Sequence, residues 1–457
     1  MVHTPVRLDA LGHNGTYTAH RTQTVTSVAN TPLAELSLVP PLYVNRTMAA
    51  LRRAETKPLG ERLAAIAEAG RAFAEDTVAG LTVEEYEWAV CRASGLPRSI
   101  VTETVAATRT TASDLYRLTQ QARPAGAVDD WRAPATARGA AVWTRRGDVF
   151  AVHAPGNTPA IHNLWLSALA LGYRVAVRPS SREPFSPHRM VAALRAAGFG
   201  PDQVALLPTA HDVADTLLRG ADLAIAYGGE EVMRKYATMT TLLPQGPGRS
   251  KVLLTRDVDP LAHLDTLASA VSGHGGTACV NTTAVFVEGD PGPVAQGLAE
   301  RLAHLPSLPP EDPKAVLPVQ PLDRARALQR HLLRRAEGTR AWLGAEQVVE
   351  ELGDGSAALR PAVHQVGRAD AEQTRVELPF PCVWVAPWSR EDGLAPLRDT
   401  LVLTAVTEDE ELVDALVAEP SIANVFVGDH PTHWMAPGLP HDDYLESFLM
   451  RCKTVVR

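Results

Sequence analysis

The sequence is poor in cysteine and has no long apolar run. Its four cysteines, at positions 91, 279, 382 and 452, include no Cys-x-x-Cys pair, so neither a disulfide framework nor a metal-binding cluster is indicated. The longest apolar stretch, Leu164–Leu171, is too short to span a bilayer, and residues 1–31 lack the apolar core of a signal peptide. We therefore expect a cytoplasmic protein with no metal site and no membrane partner.

An excess of positive charge is also missing. The 457 residues include 44 Lys and Arg against 52 Asp and Glu, which gives a formal charge of −8. Such a chain lacks the basic surface with which proteins bind nucleic acid, so no nucleic-acid partner is expected. The composition, with 45% hydrophobic residues, is that of a globular protein, and the length predicts two or three domains.

Strand and helix signals alternate from about residue 147 onwards, after three helical stretches in the N-terminal third. The predicted strands are Val149–His153, Arg174–Val177, Val204–Leu207, Leu223–Ala226, Thr283–Val287, Val383–Ala386 and Leu401–Val406. The helices between them include Ser186–Ala197 and Ala345–Leu352, and the tail 444–457 is predicted to contain an edge strand. Alternation at this spacing predicts an α/β fold with parallel sheets, whose ligands bind at the carboxyl ends of the strands.

One cysteine, Cys279, has a setting typical of a nucleophile. It ends a glycine-rich run, Gly273-His-Gly-Gly-Thr-Ala-Cys279, just ahead of a predicted strand. A catalytic thiolate needs access, backbone freedom and nearby donors that stabilise its charge and the oxyanion. His274, inside the run, could assist the thiol. From these residues alone, a buried thiol and a surface histidine remain the alternatives.

Two further turns follow predicted strands. In Ala154-Pro155-Gly-Asn157, the Asn157 amide could donate two N–H groups into a cleft, or the residue could cap the next helix. At Gly228-Gly229, backbone amides could meet a pyrophosphate, although the Gly-x-Gly-x-x-Gly fingerprint is not found there.

Taken in order, these segments resemble the aldehyde dehydrogenase superfamily. The matching positions are Asn157 in a Pro-x-Asn-x-Pro turn, Arg178-Pro-Ser180-Ser181 for Lys-Pro-Ser-Glu, Gly228-Gly229 for the Gly-Ser over the pyrophosphate, Gly248-Arg-Ser250 for Gly-Lys-Ser, Cys279 for the nucleophile, and Glu377-Leu-Pro-Phe380-Pro for Glu-x-Phe-Gly-Pro. The resemblance spans roughly residues 140–457. Its weak N-terminal third makes the chain look most similar to the fatty-acyl-CoA reductases of bacterial bioluminescence.

The resemblance implies a fold and an assembly. We expect two Rossmann-like parallel-sheet domains and a small oligomerisation element in a homodimer or homotetramer. Residues 1–255 would form the nucleotide-binding domain, with a helical N-terminal part and an oligomerisation segment near 121–142. Residues 256–425 would form the catalytic domain, and the tail, 426–457, would return to the first domain.

The resemblance also implies a nicotinamide cofactor. The residues that it places around this cofactor are Ala154, Pro155, Arg178, Ser180, Ser181, Arg182, Gly228, Gly229, Glu377 and Phe380. A carboxylate at the position of Ser181 would repel a 2′-phosphate, whereas a hydroxyl flanked by Arg178 and Arg182 favours one. We therefore expect NADPH, with NADH as the alternative.

Gln245 departs from the family pattern. Counting back from Arg249 places it where family members that release free acids carry the glutamate that activates water, and an amide cannot take a proton from water. We therefore expect reduction of an acyl thioester, carried by CoA or an acyl carrier protein, to an aldehyde through a thioacyl intermediate on Cys279. Asn157 and the Cys279 backbone N–H would form the oxyanion hole.

Three alternatives to this function remain open. His274 could replace the missing base, and the protein would then be an NAD(P)-dependent aldehyde dehydrogenase that releases free acid. An acyl-phosphate reductase and a non-catalytic protein that retains the fold are the other two.

Overall fold

The computed structural model describes residues 5–457. The α-helices of this part of the chain are α1 (Pro41–Arg53), α2 (Leu59–Glu75), α3 (Val83–Ser94), α4 (Arg98–Thr119), α5 (Leu166–Ala170), α6 (Phe185–Ala196), α7 (Ala214–Gly220), α8 (Glu230–Tyr236), α9 (Leu264–Ser272), α10 (Gly292–Leu302), α11 (Leu322–Arg335), α12 (Glu410–Ala418) and α13 (Leu445–Leu449). Among these residues, none of the helices combines the length and the apolar character needed to cross a membrane.

The strands divide between two large sheets and three small ones. They are β1 (Val6–Leu8), β2 (Ala10–Gly12), β3 (Gly15–Tyr17), β4 (Thr22–Thr26), β5 (Pro32–Ser37), β6 (Ala140–Arg145), β7 (Val149–His153), β8 (Arg174–Arg178), β9 (Val204–Leu206), β10 (Leu223–Tyr227), β11 (Leu242–Gln245), β12 (Ser250–Leu254), β13 (Thr282–Glu288), β14 (Val319–Pro321), β15 (Arg340–Leu343), β16 (Val349–Glu351), β17 (Ser356–Leu359), β18 (Ala362–Gln365), β19 (Cys382–Trp388), β20 (Thr400–Val406), β21 (Ile422–Val427) and β22 (Met450–Val455).

Both large sheets have seven strands and are mostly parallel. The first has the order β11-β10-β7-β8-β9-β2-β3, with β2 and β3 antiparallel at one edge. The second has the order β15-β18-β19-β13-β12-β20-β21, with β15 antiparallel. Strands β8, β12 and β13 are buried along their whole length, as expected for parallel sheets covered on both faces. The α/β architecture predicted from the sequence is confirmed.

The change from the first sheet to the second falls at residues 246–249, between β11 and β12. The resemblance implies a boundary at 255, and no strand is predicted from the sequence over β12. The reason is Lys251, a charged residue with no exposed surface in the middle of a buried strand. Its Nζ donates to the carbonyl of Arg398 at 2.7 Å and to the hydroxyl of Thr400. Burial lowers the pKa of Lys251 to about 7, although Asp399 opposes this shift.

Two local predictions have opposite outcomes. The helix predicted at Ala345–Leu352 is wrong, because a short 3-10 turn at Ala345–Gln347 is followed by β16, which pairs antiparallel with β17. The strand predicted in the tail is present as β22, which pairs antiparallel with β6 over six residues. The Ala345–Leu352 segment is predicted as a helix because its apolar spacing does not reveal that it pairs with β17.

Candidate active site

The cleft between the two large sheets brings the turn after β7 to the loop before β13. Asn157 lies in that turn, at the carboxyl edge of the first sheet. Its Nδ2 donates a 3.3 Å hydrogen bond to the carbonyl of Thr277, two residues before Cys279. Since an amide nitrogen carries two N–H groups, the second can serve an acceptor held at Cys279.

The loop that carries Cys279 depends on its glycines. His274, Gly275 and Gly276 have φ values of 50°, 67° and 64°, in the left-handed region that disfavours side chains. A Cβ on Gly276 would lie 2.4 Å from the backbone nitrogen of Pro381. Only glycine therefore allows this loop to pack directly on the segment that ends at Pro381.

Asn281 holds the same loop from its other side. Its Oδ1 accepts a hydrogen bond from the backbone N–H of Ala278 at 2.9 Å, and its Nδ2 donates to the carbonyl of Gly273 at 2.7 Å. These bonds span the turn on both sides of the glycines. They fix the backbone immediately before Cys279, a role that the sequence analysis does not assign to Asn281.

The segment Gly248–Ser250 forms the floor beneath Cys279. A Cβ on Gly248 would lie 1.8 Å from the carbonyl oxygen of Cys279, and Ser250 Oγ donates to that oxygen at 3.0 Å. The backbone N–H of Arg249 donates to the carboxylate of Glu377 at 2.9 Å. Burial raises the pKa of Glu377, while the amides of Arg249 and Gly248 oppose this shift. Glu377 thus ties the turn below the cysteine to the Pro381 segment.

Cys279 has an imidazole partner from the C-terminal part of the chain. His441 Nε2 lies 3.4 Å from Cys279 Sγ, and His441 Nδ1 lies 3.4 Å from an Asp442 carboxylate oxygen. The side chain of Gln245 also hydrogen-bonds to the Asp442 carboxylate. Four side chains from three distant segments of the sequence therefore form one connected group.

The charges in this group favour a protonated His441. Burial alone would lower the pKa of His441, but its hydrogen bonds with Asp442 and Cys279, and the negative charges there, raise it to about 10. Burial would likewise raise the pKa of Asp442, and the hydrogen bonds from His441 and Gln245 instead lower it. The arrangement is an imidazolium held between a sulfur atom and a carboxylate.

His274, the histidine that the sequence places beside the thiol, lies elsewhere. Its ring packs edge-on against that of His433, with centroids 5.2 Å apart. Burial lowers its pKa, and Glu103 opposes this shift. The imidazole that reaches Cys279 is that of His441. Nearness in sequence is a poor guide at this point because the backbone turns sharply between residues 274 and 276.

A largely apolar cavity of about 370 Å³ adjoins Gln245, His441 and Asp442. It is walled by α4, by the start of α5 and by residues 435–448. The apolar side chains that line it include Leu115, Leu118, Leu164, Ile225, Leu243, Leu445 and Phe448. A cavity of this size and character suits the carbon chain of a small organic substrate.

Arg178 and the turn after β7 lie together at the carboxyl edge of the first sheet. The Arg178 guanidinium donates to Thr209 Oγ1 at 2.8 Å and to the Thr209 carbonyl at 3.0 Å, and it lies 3.1 Å from His153 Nε2. Buried Ala154 donates its N–H to the Arg178 carbonyl at 3.0 Å. Partly exposed Pro155 follows it in the turn. Arg178 is therefore held by the protein beneath this edge.

Arg182 is also held by the protein. Its guanidinium donates to the carbonyl of Ser94 at 2.7 Å, and its backbone N–H donates to Ser180 Oγ at 3.2 Å. Burial, assisted by the charge of Arg324, lowers the pKa of Arg182 to about 10. Ser181, between these residues, is partly exposed.

The loops at this edge have features that suit a dinucleotide. A Cβ on Gly156 would lie 2.4 Å from Ser180 Oγ and 3.2 Å from Arg182 Cβ, so a side chain there would crowd this turn, whereas a Cβ on Gly229 would meet nothing within 4 Å. His153 Nδ1, at the end of β7, is buried with no hydrogen-bond partner among residues 5–457. Open glycine backbone and an unsatisfied buried nitrogen fit a polar ligand.

Phe380 does not lie at this edge. It is 1% exposed and packs in the core of the second sheet, so it supports the cleft wall and offers no surface to a cofactor. Gly228 lies at the end of β10, where its N–H donates to the Gln245 carbonyl at 3.0 Å. For the other residues that the sequence assigns to the cofactor, its binding stays a prediction: Ala154, Pro155, Arg178, Ser180, Ser181, Arg182, Gly228, Gly229 and Glu377.

His441 and Asp442 are not among the site residues predicted from the sequence. The triplet His441-Asp442-Asp443 stands in a proline- and glycine-containing stretch before α13, where no spacing relates it to Cys279. The hint that the sequence does contain is a pair of acidic residues directly after a histidine in an irregular segment.

A sequence model of the aldehyde dehydrogenase family matches residues 42–402. The crystal structure of the aldehyde dehydrogenase KauB from Pseudomonas aeruginosa has the same fold, with a TM-score of 0.82 over 99% of this chain and 96% of that chain, at 16% identity.

Curated relatives align over shorter stretches. Malonate-semialdehyde dehydrogenase 2 from Bacillus mycoides (strain KBAB4) is 26% identical over 157 residues, 32% of each chain. The 2-hydroxymuconic semialdehyde dehydrogenase from Pseudomonas sp. (strain CF600) is 25% identical over 276 residues, 55% of each chain. The chain thus spans about a third to about half of the length of these relatives.

Proposed function

The chain belongs to the aldehyde dehydrogenase family, and on this premise we propose that it reduces an acyl thioester to an aldehyde through a thioacyl intermediate on Cys279, with NADPH as the reductant. The observation that carries the proposal is Gln245. Its amide hydrogen-bonds to Asp442 at the edge of the substrate cavity, and an amide cannot activate water. Position 245 therefore supplies no base that would hydrolyse a thioacyl group on Cys279 before hydride reaches it.

The residues around the cleft supply the remaining chemistry. Cys279 attacks the thioester carbonyl, and the Asn157 amide and the Cys279 backbone N–H donate to the oxygen that becomes negative. The apolar cavity holds the acyl chain and excludes water from it. Ser180, Ser181 and Gly229, in the loops at the edge of the first sheet, would hold the dinucleotide, whose nicotinamide supplies the hydride.

The names of the curated relatives favour a second candidate, oxidation of an aldehyde to a free acid. That reaction needs a base that activates water next to the thioacyl carbon. His441, 3.4 Å from Cys279 Sγ, is the group that would take this role once acylation has removed the charge on sulfur.

One experiment separates the two candidates in the oxidative direction. The protein is given an aldehyde and NADP⁺, with and without CoA, and coenzyme reduction is followed by absorbance. Thioester chemistry predicts a rate that depends on CoA and yields acyl-CoA. A rate that is equal without CoA, with free acid as the product, establishes the second candidate instead.

Asn157 is expected to be an oxyanion donor. Asn157→Asp keeps the size of the side chain and removes its N–H groups, so kcat should fall by about 10²–10³-fold. The steady-state rate with a saturating thioester measures this. Dissociation of NADPH should change little, and a variant that retains more than a third of the wild-type kcat would exclude the role.

Ser181 is expected to set the coenzyme preference. Ser181→Glu places a carboxylate where it would meet a 2′-phosphate, and the ratio of kcat/KM for NADPH to that for NADH should fall about tenfold or more. Ser181→Gln, of the same length without the charge, is the matched control. Equal effects of the two substitutions would mean that bulk, and not charge, is responsible.

A further inference from the structure

The 434–443 loop delivers His441 to Cys279 in a fixed orientation. Asn424, on β21, donates its side-chain N–H groups to the carbonyls of His441 and of Leu401, the second at 2.9 Å. The backbone of His441 is thereby tied to the second sheet, which also carries the Cys279 loop. With Nε2 at 3.4 Å from Sγ, the ring is placed to exchange a proton with the thiol.

Asp442 fixes the other side of the imidazole ring. Its carboxylate lies 3.4 Å from His441 Nδ1 and also accepts from Gln245, which lies opposite Tyr227 in the parallel β10–β11 pair. Cys279, His441 and Asp442 thus stand in the order nucleophile, base and orienting carboxylate. The same order of contacts activates thiols and hydroxyls in unrelated folds.

We propose that His441 is the acid–base catalyst of Cys279, taking the Sγ proton on Nε2 and delivering it to the leaving group, and that Asp442 is the positioning residue that orients its ring. The donation to a leaving thiol rests on the proposed function. The pairing of thiol and imidazole does not, because it is a property of the protein without substrate.

The acylation step balances within these groups. The proton passes from Sγ to Nε2, and the thiolate forms a bond to the thioester carbonyl carbon. The bond between that carbon and the carrier sulfur breaks, its electron pair leaves with the sulfur, and the imidazolium returns the proton to it. The products are the thioacyl enzyme, a free carrier thiol and a neutral His441. In the opposite direction, the neutral ring deprotonates the incoming thiol.

The other charged groups around the pair do not oppose a cation on His441. In the cavity that His441 and Asp442 share with Gln245, two acids and two arginines offset each other: Glu230, Arg234, Arg249 and Asp399. On the substrate side lie two further acids, Asp443 and Glu446. Burial, with the negative charges of Asp442 and Cys279 adding to it, raises the pKa of nearby Tyr227, so the phenol stays neutral.

Alkylation of Cys279 by iodoacetamide between pH 5 and 10 tests the pairing. The full chain is used without substrate or coenzyme, in a Cys452→Ser background, because Cys452 is exposed while Cys91 and Cys382 are buried. A thiolate–imidazolium pair should keep reacting below pH 7. In His441→Ala the rate should follow a free thiol with a midpoint near pH 8.5, about tenfold slower than wild type at pH 6.5.

Asp442→Asn should shift the profile in the same direction by a smaller amount. Asp443→Asn is the matched control, since it removes the neighbouring carboxylate, which accepts from the Tyr444 N–H and not from His441. It should leave the profile unchanged. Identical profiles for wild type, His441→Ala and the more conservative His441→Gln, in proteins with unchanged thermal unfolding, would overturn the proposal.

The leaving group tests the proton donation. His441→Gln should slow acylation by an alkyl thioester much more than by an aryl thioester, whose thiolate departs without protonation. Equal slowing would overturn the donor role. Normal thioester reduction with an unshifted alkylation profile would refute His441 and leave the proposed function standing. A shifted alkylation profile without thioester reduction would support the role of His441 and refute the proposed function.

Discussion

Cys279→Ala is expected to lower turnover of thioester and aldehyde alike by at least about 10⁴-fold, because both routes pass through a bond to Sγ. Binding of NADPH should change little. The contacts that shape the loop are made by the backbone of Cys279 and by its neighbours, such as the bond from Ser250 Oγ to the Cys279 carbonyl, and none of them uses the sulfur.

Rapid mixing with an acyl thioester and NADPH measures the loss, and fluorescence titration measures coenzyme binding. Cys452→Ala provides the control, since it makes the same substitution at an exposed position on β22. A Cys279→Ala protein that keeps more than about a hundredth of the wild-type rate would show that the nucleophile is another group.

Gln245→Glu is expected to redirect the thioacyl enzyme towards water. General-base assistance contributes about 10²–10⁴-fold, so even a partly misplaced carboxylate should raise the yield of free acid relative to aldehyde. The structure adds a second effect. The new carboxylate would face Asp442, to which Gln245 now hydrogen-bonds, and this repulsion should favour a protonated Glu and raise the pH at which hydrolysis begins.

The ratio of acid to aldehyde from one thioester, measured against pH, is the readout. Gln245→Ala removes the amide without adding a base, and it should give little acid if water lacks activation. Equal acid from both variants would mean that Gln245 excludes water by its bulk. If the wild type already yields acid and His441→Gln abolishes it, then His441 is the base and the second candidate function is correct.

The parallel sheets could be predicted from the sequence because most of their strands are short apolar runs bounded by turn residues. Strands β7 and β8 begin where the pattern places them, and the Cys279 loop and the Asn157 turn stand out through their glycines. Strand β12 could not be recognised in this way. The ammonium group of its buried Lys251 donates hydrogen bonds to the Thr400 hydroxyl and the Arg398 carbonyl. Both residues lie almost 150 positions away in the chain.

The acid–base part of the site could not be predicted for a related reason. Cys279 and His441 are 162 residues apart, and the loop that joins them in space has no periodic pattern. From the sequence, His274, five residues before the cysteine, is the candidate base. In the structure, the His274 ring packs against His433 instead. A motif locates residues within a segment, whereas contacts between segments depend on how the sheets and loops pack.

The most direct test of thioester reduction is a product balance. The protein is incubated with NADPH and a series of acyl-CoA thioesters of increasing chain length, and the oxidised coenzyme, free CoA, aldehyde and acid are quantified. Thioester reduction predicts equal amounts of oxidised coenzyme, CoA and aldehyde, with little acid. CoA released together with acid, and no coenzyme oxidised with any thioester, would contradict it.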